Sequence, residues 1–446
     1  GDRPGGGNGE IAVFACQYGL ELGGKDGGGV EALESAGVTL DGSYPFLCYK
    51  EGRLAMAEKL ASGGRLIVVG CHRASHEGLF EEVLGLGPGR VAIVGIDELD
   101  RAGERVRASI QALKTPPEMA PGPKRVVIVG GGTSGLAAAS ELLRRDIEVV
   151  LIDKAPAIGA SFLKAFQDAG GEAAAGEGFV KSIQDHPKAR VFTASCVNWL
   201  KRSAGKMMLE IATSDGEERV EAGAVLIAVG AARYEPTEYP YGKHPGVIDQ
   251  WELTARIGEG KTDAGHVVMI QCVGARDGAH PYCSRYCCKQ AISNALLYKS
   301  AKPEAEITIL HKGIRVFGLE EDLLADAVEK GIKFVEVAGP PEVDGGKRLK
   351  VNATPETGRP IVLDADLVAL SLAHMHGPGA EDLSKILGAP LDDVGCFASG
   401  GAPFGPFRTP ADGIFVCGFA REPVMPEEAY VDGLGAAQAI WRRLMG

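Results

Sequence analysis

The stretch KRVVIVGGGTSGLAAASELLRRDIEVVLIDK, residues 124–154, constrains the fold more than any other. The apolar run RVVIV reads as a strand, the amphipathic run after it as a helix, and EVVLID as a second strand. Between the first strand and the helix, Gly130, Gly132 and Gly135 form G-x-G-x-x-G. Missing side chains permit a tight turn, let a pyrophosphate approach the backbone, and let helix pack on strand. The helix N-terminus then faces the phosphates. Asp153, twenty-three residues past Gly130, is placed for the hydroxyls of an adenosine ribose. The expected cofactor contacts here are Gly130, Gly131, Gly132, Ser134, Gly135, Asp153 and Lys154. The bland alternative is a glycine-rich turn with no ligand, and it gives no reason for strand, helix, second strand and acid all to fall in place.

At 446 residues the chain exceeds what one core organises, so two or three domains are expected. The proline-rich TPPEMAPGPK cannot propagate a helix and marks a linker at 116–123. Before it, in residues 1–115, runs such as EIAVFAC, YPFLC and RLIVVGC alternate with helical patterns (LAMAEKLA, HEGLFEEVLG), which predicts a small α/β domain. After it, a dinucleotide-binding domain is expected over 124–240 and 360–446, enclosing a second Rossmann-like domain over 241–359.

The net charge of −12 argues against nucleic acid as a partner. No apolar run approaches the ~20 residues of a membrane span. The start, GDRPGGGNGE, has neither the basic and apolar regions of a signal peptide nor an initiator Met, as expected of a trimmed or engineered start on a soluble cytoplasmic protein. In a reducing compartment ten cysteines read as metal ligands, redox groups or core rather than structural disulfides.

Two further segments favour FAD as the dinucleotide. TPADGIFVCGFA resembles the distant second FAD motif of flavoproteins with two dinucleotide domains, in which a terminal Gly, here Gly418, approaches the ribityl and pyrophosphate. The Asp usual after that Gly is Phe419 in this chain. AVLIAVG, ending at Gly230, resembles the strand that closes the same domain. At the start of the second domain HVVMIQCVGARD supplies Gly274 but no further glycine in register, and Cys272 stands where a phosphate loop would begin. A nicotinamide site is therefore disfavoured.

Cysteine occupies that edge instead. Cys272, Cys283, Cys287 and Cys288 are spaced C-x10-C-x3-C-C. Cys283 and Cys287, at i and i+4, share one face of a helix, and Cys288 is displaced by about 100°. Adjacent cysteines that must face one object imply a bend or helix start, with Cys272 closing from a strand end. The chemistry open to such a set is a [4Fe–4S] cluster, a redox-active dithiol of Cys287 and Cys288, or structural zinc, although zinc sites favour paired C-x2-C knuckles. Backbone N–H groups, Arg285 and Lys289 would offset the charge of an anionic cube, as Arg276 and Arg315 could, the alternative for the arginines being surface solvation.

The ordered set GGGTSGL, QCVGARDGAHPYCSRYCC, TPETGRPIVLDADLVALS and TPADGIFVCGFA resembles the A-type chain of heterodisulfide reductases and its relatives in sulfur and hydrogen metabolism, over roughly residues 124–446. The resemblance implies a thioredoxin-reductase-like α/β fold, FAD and [4Fe–4S] clusters, and a subunit that passes electrons within a larger complex of heterodisulfide reductase B/C-like, ferredoxin-like or hydrogenase-linked partners. It assigns Cys272, Cys283, Cys287 and Cys288 as cluster ligands. In some members the flavin bifurcates electrons. The helix after the adjacent cysteines often carries a Lys facing the flavin there, where this chain has Ser293. The ferredoxin-type C-x2-C-x2-C-x3-C insertions of full-length members do not occur in this sequence, so the electron wire is shorter or continues in another subunit.

Cys16, Cys48 and Cys71 each end an apolar, strand-like run, and parallel strands would bring the three sulfurs to one sheet edge. The segment resembles the small iron–sulfur domain at the start of the same family, with Tyr18 where a second nearby cysteine is expected. A second cluster would need a fourth ligand from His72, His76 or elsewhere; buried strand-end cysteines are the alternative. Cys196, Cys396 and Cys417 read as core, and His374 and His376 as loop residues.

The sequence thus predicts an oxidoreductase whose flavin does the chemistry, with no catalytic side chain beyond it. Its rivals are an NAD(P)H-dependent disulfide or thiol reductase using Cys287 and Cys288, and a scaffold subunit with vestigial cofactors.

Overall fold

The computed structural model describes residues 11–23, 30–35, 37–60, 64–71, 80, 84, 91–95, 102–114, 122–168, 172–203, 206–346, 348–377, 379–399 and 405–445. Most of the expected linker, most of HEGLFEEVLG, and both His72 and His76 lie outside them.

The fully apolar runs become parallel strands covered on both faces. In the first of two similar units β5 (Arg125–Val129), β6 (Glu148–Ile152), β7 (Ala189–Phe192), β11 (Ala224–Ile227) and β22 (Ile414–Val416) form a parallel sheet ordered β22-β11-β5-β6-β7. One face packs on helices Thr133–Arg144 and Pro426–Met445, burying Ile128, Leu136, Leu142 and Ile440 completely. Each such side chain contributes on the order of 1.5–3 kcal/mol of burial. The other face packs on an antiparallel sheet of β8 (Cys196–Ser203), β9 (Lys206–Thr213) and β10 (Gly216–Ala222), and on helix Ala380–Leu387.

The second unit repeats the plan. A parallel sheet ordered β13-β20-β14-β15-β16 is built from β13 (Val247–Asp249), β14 (His266–Val273), β15 (Glu306–His311), β16 (Lys333–Glu336) and β20 (Leu367–Leu372). Helices Gln250–Gly258 and Cys287–Ala301 cover one face, and the antiparallel β17 (Glu342–Gly345), β18 (Leu349–Ala353) and β19 (Ile361–Ala365) the other. The chain passes between the units through an antiparallel pair, β12 (Ala231–Arg233) and β21 (His374–His376). The return therefore falls after β20 and not at residue 360: LVALSL is apolar almost throughout and is buried at every position inside the second sheet, between β13 and β14.

The N-terminal residues form a parallel sheet ordered β2-β1-β3-β4, from β1 (Ile11–Cys16), β2 (Gly42–Tyr44), β3 (Arg65–Cys71) and β4 (Val91–Gly95). YPFLC departs from expectation. Its strand stops at Tyr44 and Cys48 lies in the turn before helix Lys50–Leu60, because Pro45 has no N–H to continue a ladder.

Among the described residues no helix is long and apolar enough to cross a membrane.

Candidate functional site

The glycine turn is built as the motif requires. Gly130 holds φ at +113°, where a Cβ would stand 2.4 Å from the Ala228 carbonyl oxygen. A Cβ on Gly135 would lie 1.9 Å from the Gly130 oxygen, so helix and strand touch only without a side chain. At Gly132 the nearest obstacle is the Ser161 hydroxyl at 2.9 Å, which leaves the mouth of the turn approachable. Gly132 caps helix Thr133–Arg144 without any side-chain hydrogen bond, and no acidic residue stands in the first turn. The orphan N–H groups thus remain for an anion.

Asp153 is anchored by its neighbours. Its carboxylate accepts from Gly131 N–H at 2.6 Å and Ala155 N–H at 2.7 Å. A carboxylate has about four acceptor positions, so two remain for ribose hydroxyls. Gly418 comes from the other side of the sheet with φ +63°; a Cβ there would meet the Ser134 hydroxyl at 2.5 Å. Gly418 N–H donates to Asp432, whose carboxylate also holds Arg421 at 2.9 Å. Gly230 has open space around it, and Lys154 stands at the turn after β6. An uncapped helix start, a backbone cradle that side chains would fill, and a tethered acid fit FAD.

The four cysteines of the second unit are neighbours. Burial pushes the Cys287 thiol up most, and Cys288, Cys272 and Cys283 add to the shift, so all four share one electrostatic environment. Cys288 is raised to about 11, first by burial, against the opposing Arg315 N–H. Burial also raises Cys272, with Arg276 acting against it.

Helix Cys287–Ala301 begins at Cys287, so Cys283 stands outside it, contrary to the shared helical face. Instead the backbone wraps: Cys272, Arg276 and Arg285 hold φ near +60°, +55° and +62°, a left-handed conformation costly for side-chain-bearing residues. Three such residues within one segment bend it sharply. Backbone donors aim at sulfur, from Arg285 N–H to Cys283 Sγ at 3.3 Å and from Arg315 N–H to Cys288 Sγ at 3.5 Å.

None of the ten cysteines is in a disulfide, and among the described residues no group of three or more His, Cys, Asp or Glu is arranged to hold a single metal ion. Thiolates met by amide donors, as at Cys283 and Cys288, are chemistry that suits an iron–sulfur cluster. The cations are disposed differently from expectation. Arg285 pairs with Glu428 at 2.7 Å and Lys289 with Glu427 at 2.7 Å and Glu320 at 3.0 Å, carboxylates that take up their charge. Arg276, and after it Lys312, are the cations that lower Cys272, and the Arg276 guanidinium also donates to the Lys312 carbonyl.

At the N-terminal sheet edge Cys16 ends β1 and Cys71 ends the adjacent β3. A hydrogen bond with Cys16 raises Cys71 most, followed by burial and by the charges of Cys16 and Cys48. Cys71 and Cys16 are thus hydrogen-bonded, and Cys48 acts on them from a turn rather than from a strand end.

Two expectations fail elsewhere. Cys196 is exposed at the start of β8 rather than core, whereas Cys396 and Cys417 are buried. His374 and His376 are strand residues of β21, facing Arg233 and Ala231 of β12. Their i, i+2 spacing is the period of a strand, and that signal was in the sequence. The His374 and His376 rings lie 6.3 Å and 5.6 Å from that of Phe419, and His374 packs edge-on against Tyr286 of the cysteine loop at 5.6 Å.

The family model for pyridine nucleotide-disulphide oxidoreductases matches residues 124–373, more than half of the chain. The chain belongs to that family. It is an oxidoreductase family that works with FAD, in keeping with the glycine turn. The A-type iron-sulfur chain of the CoB–CoM heterodisulfide reductase of Methanocaldococcus jannaschii is 25% identical, over 96% of this chain and 85% of its own length. The A-type chain of the H2:CoB-CoM heterodisulfide,ferredoxin reductase of Methanothermobacter marburgensis is 32% identical over 50% of this chain and 37% of its own. Both bear out the resemblance carried by the cysteine and glycine motifs. A thioredoxin reductase from Lactococcus lactis, 19% identical, covers 72% of this chain and 99% of its own with a TM-score of 0.50, and so shares the fold.

Proposed function

We propose that this chain is an electron-transfer flavoprotein subunit of a heterodisulfide-reductase-like complex in the cytoplasm. Gly130, Gly131, Gly132, Ser134, Gly135, Asp153, Lys154, Gly230, Gly418 and Phe419 line the FAD site; Cys272, Cys283, Cys287 and Cys288 hold a [4Fe–4S] cluster. When bound, FAD supplies the exchange between two-electron and one-electron chemistry, and the cluster carries single electrons onward. The chain's own residues place the two: the cysteine loop is tied to the start of helix Pro426–Met445, next to Gly418 and Phe419, through Arg285–Glu428 and Lys289–Glu427. The carrying observation is that Cys288, Cys272 and Cys283 all act on the buried Cys287 thiol, in a segment with three left-handed residues that packs through Tyr286 and His374 toward Phe419.

Cys16, Cys48 and Cys71 are proposed as three ligands of a second cluster that hands electrons to redox partner subunits. Ser293 stands where a flavin-facing Lys is expected, and the reading does not extend to bifurcation.

Anaerobic purification with iron, sulfide and flavin counted tests the proposal. It expects FAD together with about four iron and four sulfide from the main site, lost on Cys287→Ser or Cys288→Ser, and flavin that NADH does not bleach. Flavin without iron, bleached rapidly by NADH, would favour the dithiol reductase.

A further inference from the structure

His374 carries an unpartnered ring nitrogen. Its Nδ1 is shielded from solvent and has no hydrogen-bond partner among the described residues. A shielded polar atom left unpaired is unfavourable, and a ligand edge would relieve it. The backbone N–H of His374 donates to the Ser284 hydroxyl at 2.9 Å, the Tyr286 ring stands edge-on at 5.6 Å, and the Phe419 ring is tilted at 6.3 Å. The imidazole is kept neutral, with burial first and Arg233 second lowering its pKa to about 4. A neutral ring nitrogen can donate or accept according to tautomer, so it suits a polar ligand edge of either kind.

Position along the sheet tells which part of the ligand that is. Strand order β22-β11-β5-β6-β7 puts Asp153, after β6, on the adenosine side of the glycine turn, and Gly418–Phe419, after β22, on the opposite side. A dinucleotide crossing the turn therefore carries its second half toward Phe419 and His374.

We infer that His374 Nδ1 is a hydrogen-bonding contact to the flavin half of the bound FAD, which makes His374 a cofactor-contacting residue on the side of the flavin nearest the cysteine loop. The inference rests on the FAD reading above.

Two variants set against wild type test it: His374→Phe, which keeps a ring but no nitrogen, and His374→Asn, whose amide falls near the Nδ1 position. FAD affinity by titration into the flavin-free chain, the flavin absorption bands, and the unfolding midpoint of the flavin-free chain are read for each. The expected result is a loss of roughly three- to tenfold in FAD affinity and shifted bands for His374→Phe, with partial recovery in His374→Asn. The flavin-free His374→Phe chain unfolds at the same or a higher midpoint, since an orphaned atom has gone. Unchanged affinity and bands in His374→Phe, with wild type binding FAD, would overturn this inference alone. A wild-type chain that takes up no FAD overturns the functional reading and this inference with it.

Discussion

Single residues decide whether the glycine turn works, and they differ in how. Gly135→Ala drives a methyl group into the Gly130 carbonyl, and the expected cost is about 2–3 kcal/mol of stability with loss of flavin on purification. Gly132→Ala meets only the Ser161 hydroxyl and should unfold near the wild-type midpoint while retaining less flavin. A Gly132→Ala chain that keeps its full flavin would contradict the separate roles. His374 adds a pH dependence whose sign is fixed. Its folded pKa, about 4, lies below the ordinary unfolded value, so the unfolded chain binds more protons between pH ~6.5 and ~4. Stability of the flavin-free chain should fall as pH drops through that window, by roughly 3 kcal/mol at most, and His374→Phe should flatten the fall in denaturant titrations. Thiol reactivity follows exposure. Iodoacetamide should reach exposed Cys196 well before Cys396, whose buried thiol is raised to about 12, or the buried Cys417. Peptide mapping over time checks the order.

At the scale of elements, legibility tracked periodicity. RVVIV, EVVLI, HVVMIQCV and EITILH are strands because each is largely apolar and sits between covering layers. The antiparallel β8–β10 and β17–β19 are harder to read. In β18, LKVNA alternates buried and exposed, a half-solvated pattern mixed with charge that gives only a weak signal. The cysteine motif was legible as a cluster, but its shape was not, since nothing in CSRYCC states that the helix starts at Cys287 or that Arg285 turns left-handed. Nor does sequence show that Arg285 and Lys289 find carboxylates more than a hundred residues away, on helix Pro426–Met445. These pairs are partly exposed, so double-mutant cycles on Arg285–Glu428 and Lys289–Glu427 should give about 0.2–1 kcal/mol each. Cycle energies of zero for both would mean that packing alone joins the cysteine loop to that helix.

Over the whole molecule, two similar α/β units carry different equipment at corresponding edges. The first presents an open glycine turn. The second, after the corresponding strand, has one glycine and a left-handed segment carrying cysteines. On the proposed reading a metal-binding loop stands in the second unit where a nucleotide site would be, and the account turns on that exchange. Native mass spectrometry of the chain purified without oxygen weighs it directly. The predicted result is a chain heavier by one FAD and at least one [4Fe–4S] cluster, with the cluster mass lost when Cys287 and Cys288 are both replaced by Ser. A chain carrying a nicotinamide nucleotide, a single zinc ion or an internal disulfide in place of the cluster would contradict the account.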